Sequence, residues 1–209
     1  MEFSQAMEKR RAVNFFDPKR PVDPGLLKKV IETAALTPSS FNLQPWNVMV
    51  LTEPEEKKKL RALAWDQAKV EEAPVILVFL ADRDGWKEGH ATLERNYAEM
   101  LRAGSMTEEK RAWFLNACKS LYGGGAEMAQ AFACKNTGFF AMSVMLAAAD
   151  AGLDTHPMDG FDHDKVRQAF KIPENYWIPL LLAVGHFDKS KTLAPPKWRK
   201  SFEDIVVKF

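Results

Sequence analysis

Cysteine is scarce in this chain: Cys118 and Cys134 are the only two among 209 residues, and they form no CxxC pair. That excludes a disulfide framework and a thiolate metal site, and leaves two free thiols on helices as the expectation. Charge of one sign is also lacking. Twenty-nine Lys and Arg against 28 Asp and Glu leave a formal charge of +1, so no global pull toward nucleic acid or a membrane surface is expected, and any basic site must be local. Long apolar runs are missing too. The stretches at 75–81 and 141–149 fall short of the roughly 20 residues a spanning helix needs. The opening residues soon reach Glu8, Lys9, Arg10 and Arg11 and contain no apolar core of a secretion signal, so the cytosol is the expected compartment.

Familiar catalytic signatures are absent as well. Gly123-Gly124-Gly125 is neither GxGxxG nor a phosphate loop ending in Gly-Lys-Ser, which leaves a dinucleotide fold and a nucleotide triphosphatase unsupported. His90, His156, His163 and His186 show no metal-ligand spacing, and Asp162-His163-Asp164 reads as a helix start; no metal is expected. No serine occupies a GxSxG elbow.

What is present is a chain 46% hydrophobic and 11% aromatic, enough to bury one core, so residues 1–209 are read as one domain. Asp23 as N-cap, Pro24 in the first turn and Leu26, Leu27, Val30, Ile31, Ala34 and Ala35 at helical spacing predict a helix ending by Pro38. The segment Pro38-Ser39-Ser40-Phe41-Asn42-Leu43-Gln44-Pro45-Trp46 reads as a structured loop entering a strand at 47–52. A helix from about Pro54 follows, then the unbroken apolar run 75–80, which suits a strand buried on both faces. Residues 85–121 predict two helices broken at Gly104-Ser105. Residues 126–151 form the longest helical pattern, apolar almost all round, with Gly152 at its stop. A short strand before His156, a helix from Asp162 to Phe170, a strand at 177–185 and an extended arm at 188–209 complete the pattern. Helices alternating with a few strands predict an α+β sandwich, a small mixed sheet flanked by helices.

Three tracts can carry chemistry. Arg10 and Arg11 near one end and Lys197 and Arg199 near the other lie just outside the regular elements. If the ends meet, four cations converge and can hold a phosphate dianion through charge-assisted bonds; two solvated tails would carry the same charges. Ser39, Ser40 and Asn42 offer hydroxyls, a carboxamide and backbone amides to a polar ligand, and would equally satisfy a capped turn. In His156-Pro157-Met158-Asp159-Gly160-Phe161, Gly160 lets a backbone approach a ligand closely, and a turn with a helix cap explains the tract as simply.

Taken in order, these tracts resemble the nitroreductase family of flavoproteins over essentially the whole chain. The carriers are Arg10-Arg11-Ala12-Val13-Asn14-Phe15-Phe16, the Pro38–Trp46 loop, Gly152-Leu153-Asp154 leading to Pro157-Met158-Asp159-Gly160-Phe161, and Lys197-Trp198-Arg199. The resemblance implies an intertwined homodimer with FMN at the interface and NAD(P)H as co-substrate. Arg10, Arg11, Ala12 and Asn14 would hold the phosphate and ribityl end with Lys197 and Arg199, and Pro38, Ser39, Ser40 and Asn42 would come from the partner subunit. The backbone of Met158, Asp159 and Gly160 would lie against the flavin, with Gln67 and Lys69 at its pyrimidine edge. No side-chain acid or base is implied; Lys69 and the Asp159 backbone give electrostatic support, while Phe41 and Phe114 are candidates for the substrate cleft, with Trp113 beside them, and a helix packing face is the simpler reading of Phe114 and Trp113.

Two positions depart from the family pattern: Ala12 stands where Ser is common and Asn14 where Lys or Arg is common, which removes a hydroxyl and a cation. The implied activity is ping-pong hydride transfer to nitroaromatics, quinones or similar planar acceptors. Dehalogenation, flavin fragmentation and a non-catalytic flavin-binding role are the alternatives, with neither nucleic acid nor membrane as partner.

Overall fold

A computed structural model describes residues 2–208; Met1 and Phe209, the outer limits of the expected domain and arm, lie outside the described residues. Regular structure opens with α1 (Phe3–Lys9), which the sequence reading did not anticipate, and α2 (Pro24–Ala34). In α2 the Asp23 carboxylate accepts the Leu26 amide at 2.8 Å, and Pro24 sits in the first turn, where its missing N–H leaves nothing unpaired. A 3-10 turn at Ser40–Asn42 leads into β1 (Trp46–Leu51), α3 (Pro54–Leu63), the single turn α4 (Lys69–Glu72) and β2 (Val75–Asp82). Helices α5 (Ala91–Arg102), α6 (Arg111–Tyr122) and α7 (Ala126–Asp150) follow. Gly152, at φ +76°, turns the chain out of α7 as only glycine does without strain. Then come β3 (Asp154–Met158), α8 (His163–Ala169) with Asp162 capping the Lys165 amide, β4 (Tyr176–Trp177) and β5 (Leu181–Gly185). The arm is irregular except for α9 (Phe202–Ile205), one turn held by a capping box from Ser201 and Asp204.

The sheet runs β1-β2-β5-β3, with β4 also on β2. Every strand pair is antiparallel; the expected mixed character is confined to one isolated parallel bridge, Ala12 to Thr155. The strand expected at 177–185 is split. Val78 faces Leu181 but Ala81 faces Trp177, so the register slips by one residue across Ile178-Pro179-Leu180. Pro179 has no N–H for the ladder, and a bulge takes up the extra residue.

Because β2 is central, its alternate side chains bury on opposite faces. Ile76 and Val78 join Leu60, Val166, Met158 and Ala183 under α3, α4 and α8, whereas Val75, Leu77 and Phe79 join Leu27, Val30, Phe140 and Val144 under α2 and α7. This is why the sequence there is apolar without alternation. By length and apolarity α7 is the single described helix that could cross a membrane, yet Phe140, Ala141, Val144 and Ala148 are packed against the sheet and α2.

The outer edge of β3 is covered by the N-terminal segment: the Val13 amide donates to the Thr155 carbonyl at 3.2 Å. The same segment holds the start of the arm. The Asp17 amide donates to His186 at 2.9 Å and the Asp188 amide to Phe15 at 3.1 Å. Both chain ends are therefore tied to one sheet edge, and that positions the site. At the root of the arm, a Cβ on Gly185 would lie 2.5 Å from Pro74 Cδ and 3.0 Å from Phe16 Cδ1. Neither neighbour has room to yield, so Gly185→Ala is expected to lower stability by about 1–3 kcal/mol, read as an earlier urea midpoint at unchanged slope.

Candidate functional site

Where the two ends meet, a cavity of about 120 Å³ is lined by Arg10, Arg11, Ala12 and Asn14 from one end and Lys197 and Arg199 from the other, with Phe187 and 192–195 closing its side. Four cations face it, and among the described residues no carboxylate does. The volume suits a phosphate-sized group; it is below the roughly 300 Å³ at which pockets begin to enclose a drug-sized ligand. Arg11 is anchored through Nη2 on the Ala194 carbonyl at 2.6 Å, which holds the arm over the cavity. The Nε of Arg10 is buried and hydrogen-bonds to no described protein atom. Burial, then Arg199 and Arg11, push the Arg10 pKa down. An anion in this cavity relieves all three penalties at once.

A second group lies on the α3/α4/α8 face of the sheet. Gln67 Nε2 donates to the Gly160 carbonyl at 2.9 Å and to Ala64 at 3.1 Å, and its Oε1 meets Lys69 Nζ at 3.4 Å. Gln67 thus ties the α3–α4 turn to the loop after β3, with its donors already used. Trp65, 77% exposed, lies over Gly160, where a Cβ would come within 2.7 Å of its ring; glycine is needed here for close approach. Met158 is buried, whereas among the described residues the amides of Asp159 and Gly160 make no backbone hydrogen bond in the loop and can act as donors. Lys69 is half-buried, and its pKa is lowered by burial against the opposing pull of Glu72.

His156, which the sequence reading did not assign to the site, joins the two groups. Its Nδ1 lies 2.9 Å from the Val13 carbonyl, an acceptor, so Nδ1 carries the proton and Nε2 is left as acceptor. Burial, then Lys69 and also Lys197, lower its pKa, so the ring stays neutral between two cations. The signal available in sequence was its place two residues before Met158 on an edge strand.

The 38–46 loop is elsewhere: Ser39, Ser40 and Asn42 do not line the cationic cavity of their own chain. Ser39 Oγ accepts the Gln44 amide at 2.9 Å, the Ser40 amide donates to Asn136, and Asn42 donates to Asn96. Phe41, Asn42 and Gln44 have φ of +52°, +53° and +44°, a cluster of left-handed non-glycine residues that suits a functional loop. Phe114 lies on a helix packing face, the simpler of the two readings its sequence allowed. It is 1% exposed and packs with Leu93, Tyr97, Cys118 and Phe132 under α5 and α6, because its helix turns this position inward. It supports Phe41, which meets it edge-on at 5.7 Å, while Trp113 is exposed. Both cysteines are free, and burial pushes the Cys118 thiol up to about 11, leaving it unreactive. Among the described residues no cluster of His, Cys, Asp or Glu could hold a metal.

An antiparallel sheet clasped by helices, with a cationic cavity built by both chain ends, defines an α+β protein of the nitroreductase fold. Two solved structures share it over nearly their full length. A candidate nitroreductase, ydfN, from Bacillus subtilis superposes at TM-score 0.90 with 26% identity, covering 99% of this chain and 98% of that one. A candidate nitroreductase from Exiguobacterium sibiricum, solved in complex with FMN, superposes at 0.85 with 26% identity, covering 99% and 96%. The family model described as the Nitroreductase family matches residues 7–186, and the chain belongs to that family. It is an oxidoreductase; its curated relatives include an NADH dehydrogenase from Thermus thermophilus, 34% identical over 186 residues, 89% of this chain and 87% of that protein.

Proposed function

We propose that this protein is an FMN-dependent NAD(P)H oxidoreductase that reduces nitroaromatics, quinones or similar planar acceptors in two half-reactions at one site. The observation that carries the reading is the cationic cavity with its buried, unpartnered Arg10 Nε, which fits the phosphate of FMN. Bound there, FMN would supply the hydride-transfer chemistry between the nicotinamide and the acceptor.

The chain's own residues then have distinct tasks. Arg10, Arg11, Lys197 and Arg199 neutralise the phosphate, with Ala12 and Asn14 lining its cavity. The amides of Asp159 and Gly160 donate toward the ring, held in place by Gln67, and Lys69 offers positive charge to the edge where reduction places negative charge. With donors and cations fixed before reaction, no side-chain acid or base is required. Phe41 is the aromatic candidate for the acceptor cleft, backed by Phe114.

Residues 1–209 act as one unit with 188–209 as its arm, and two copies form the enzyme. The dimer is supported by apolar side chains that one chain leaves in solvent: Trp198, Phe202, Ile205 and Val207 on the arm, and Phe139 on α7. It is also supported by the absence of residues 38–42 from the lining of their own chain's cavity, since that loop then serves the partner's flavin. The cytosol is the proposed compartment, consistent with two reduced thiols.

The test is direct. The purified protein is expected to be yellow, to run near twice 23.7 kDa, to bleach anaerobically with NADH or NADPH, and to recover its colour on adding a quinone or nitro compound with the flavin intact. A colourless protein that ignores added FMN defeats the proposal, and breakdown of the flavin would redirect it to a fragmenting enzyme.

A further inference from the structure

We infer that Asn96 on α5 and Asn136 on α7 are positioning residues that clamp the 39–44 loop in the conformation with which it meets the cofactor of a second copy; this rests on the function proposed above. The loop cannot hold that conformation by itself. Three of its non-glycine residues are left-handed, each disfavoured by the contact between Cβ and backbone, so surrounding groups must determine the geometry.

Two buried carboxamides supply it. Asn136 is fully buried and Asn96 is 7% exposed. Asn136 Nδ2 donates to the Phe132 carbonyl of its own helix at 2.8 Å, which turns Oδ1 toward the loop, where it accepts the Ser40 amide at 3.1 Å. Asn96 Nδ2 donates to the Phe41 carbonyl at 2.8 Å, and its Oδ1 accepts from Asn42 Nδ2 at 2.9 Å. Neither amide can be reversed, because the Phe132 and Phe41 carbonyls only accept and the Ser40 amide only donates. With its Nδ2 committed to Asn96, Asn42 keeps Oδ1 as an acceptor, and the Ser40 hydroxyl meets Lys135 Nζ at 3.2 Å. Asn96 makes the loop a dependent of α5, so a displacement of α5 reaches the neighbouring copy's cofactor through two hydrogen bonds.

In the flavin-free wild type, the Ser40 amide is expected to exchange with solvent deuterium at least a hundredfold more slowly than in an unstructured peptide. In FMN titrations of apoprotein, Asn96→Ala is expected to weaken binding about tenfold. Combined with Asn42→Ala it should add little further loss, since both act through one contact. Rapid Ser40 exchange overturns the clamp, as does FMN affinity unchanged in Asn96→Ala or full additivity in the double variant. The exchange measurement needs neither flavin nor a substituted protein, so it decides the clamp even if Asn96→Ala fails to fold. Failure of the wild type to bind FMN would instead remove the functional reading.

Discussion

Replacing Arg199 with Ala is expected to weaken FMN binding roughly ten- to a hundredfold, because each charge-assisted bond to a phosphate contributes about 1.5–3 kcal/mol. Arg199 lines the cavity with Arg10, Arg11 and Lys197, and its charge is one cause of the depressed Arg10 pKa. In the free protein these like charges repel. Arg199→Ala should therefore leave the apoprotein at least as heat-stable as the wild type while it loses the stabilisation that ligand confers. Inorganic phosphate or sulfate should raise the wild-type apoprotein's melting temperature and raise that of the variant less. Isothermal titration with FMN and thermal scans with and without phosphate read both effects. Unchanged FMN affinity together with an unchanged phosphate response would remove the arm from the site.

Lys69→Met is expected to lower the two-electron midpoint potential of the bound flavin by about 30 mV or more. Hydride transfer places negative charge on the flavin, and a cation held beside it favours the reduced form; for a two-electron couple 30 mV corresponds to about 1.4 kcal/mol, the lower end for a charge-assisted bond. The lower end applies because Lys69 is only half-buried and solvent screens it. The effect has a pH signature. Burial lowers the Lys69 pKa, so the charged form is disfavoured, and the wild-type potential should drift toward that of Lys69→Met as pH rises. The drift begins below the pH at which an ordinary lysine, near 10.4, would lose its proton. Potentiometric titrations of both proteins across alkaline pH decide this; parallel curves would place Lys69 away from the flavin.

Much of the fold was legible because local rules and global packing agree. The Asp23-Pro24 start, the Gly152 stop, the Asp162 cap and the doubly buried run at 75–80 each hold with the expected physical cause. The misses have causes too. The short α1 and α4 have too few turns to show a period, and the bulge at Ile178-Pro179-Leu180 depends on how β5 meets β2. For Phe114 the sequence left both a cleft position and a helix packing face open, because composition does not tell which side of a helix faces the core, and the fold buries it. His156 went unassigned because its role comes from Val13, Lys69 and Lys197, all distant in sequence.

The order of residues by itself determined the longer helices, which strand is central and which tracts carry donors and cations, since capping, periodicity and the left-handed demands of glycine operate within a few positions. Only the tertiary structure decided that Arg10 and Arg199 share a cavity, that Asn136 reaches Ser40, and that the 38–42 loop does not line its own chain's cationic cavity. Those relations cross most of the chain's length, and they form only when burial of the two faces of one sheet forces remote segments onto a common edge.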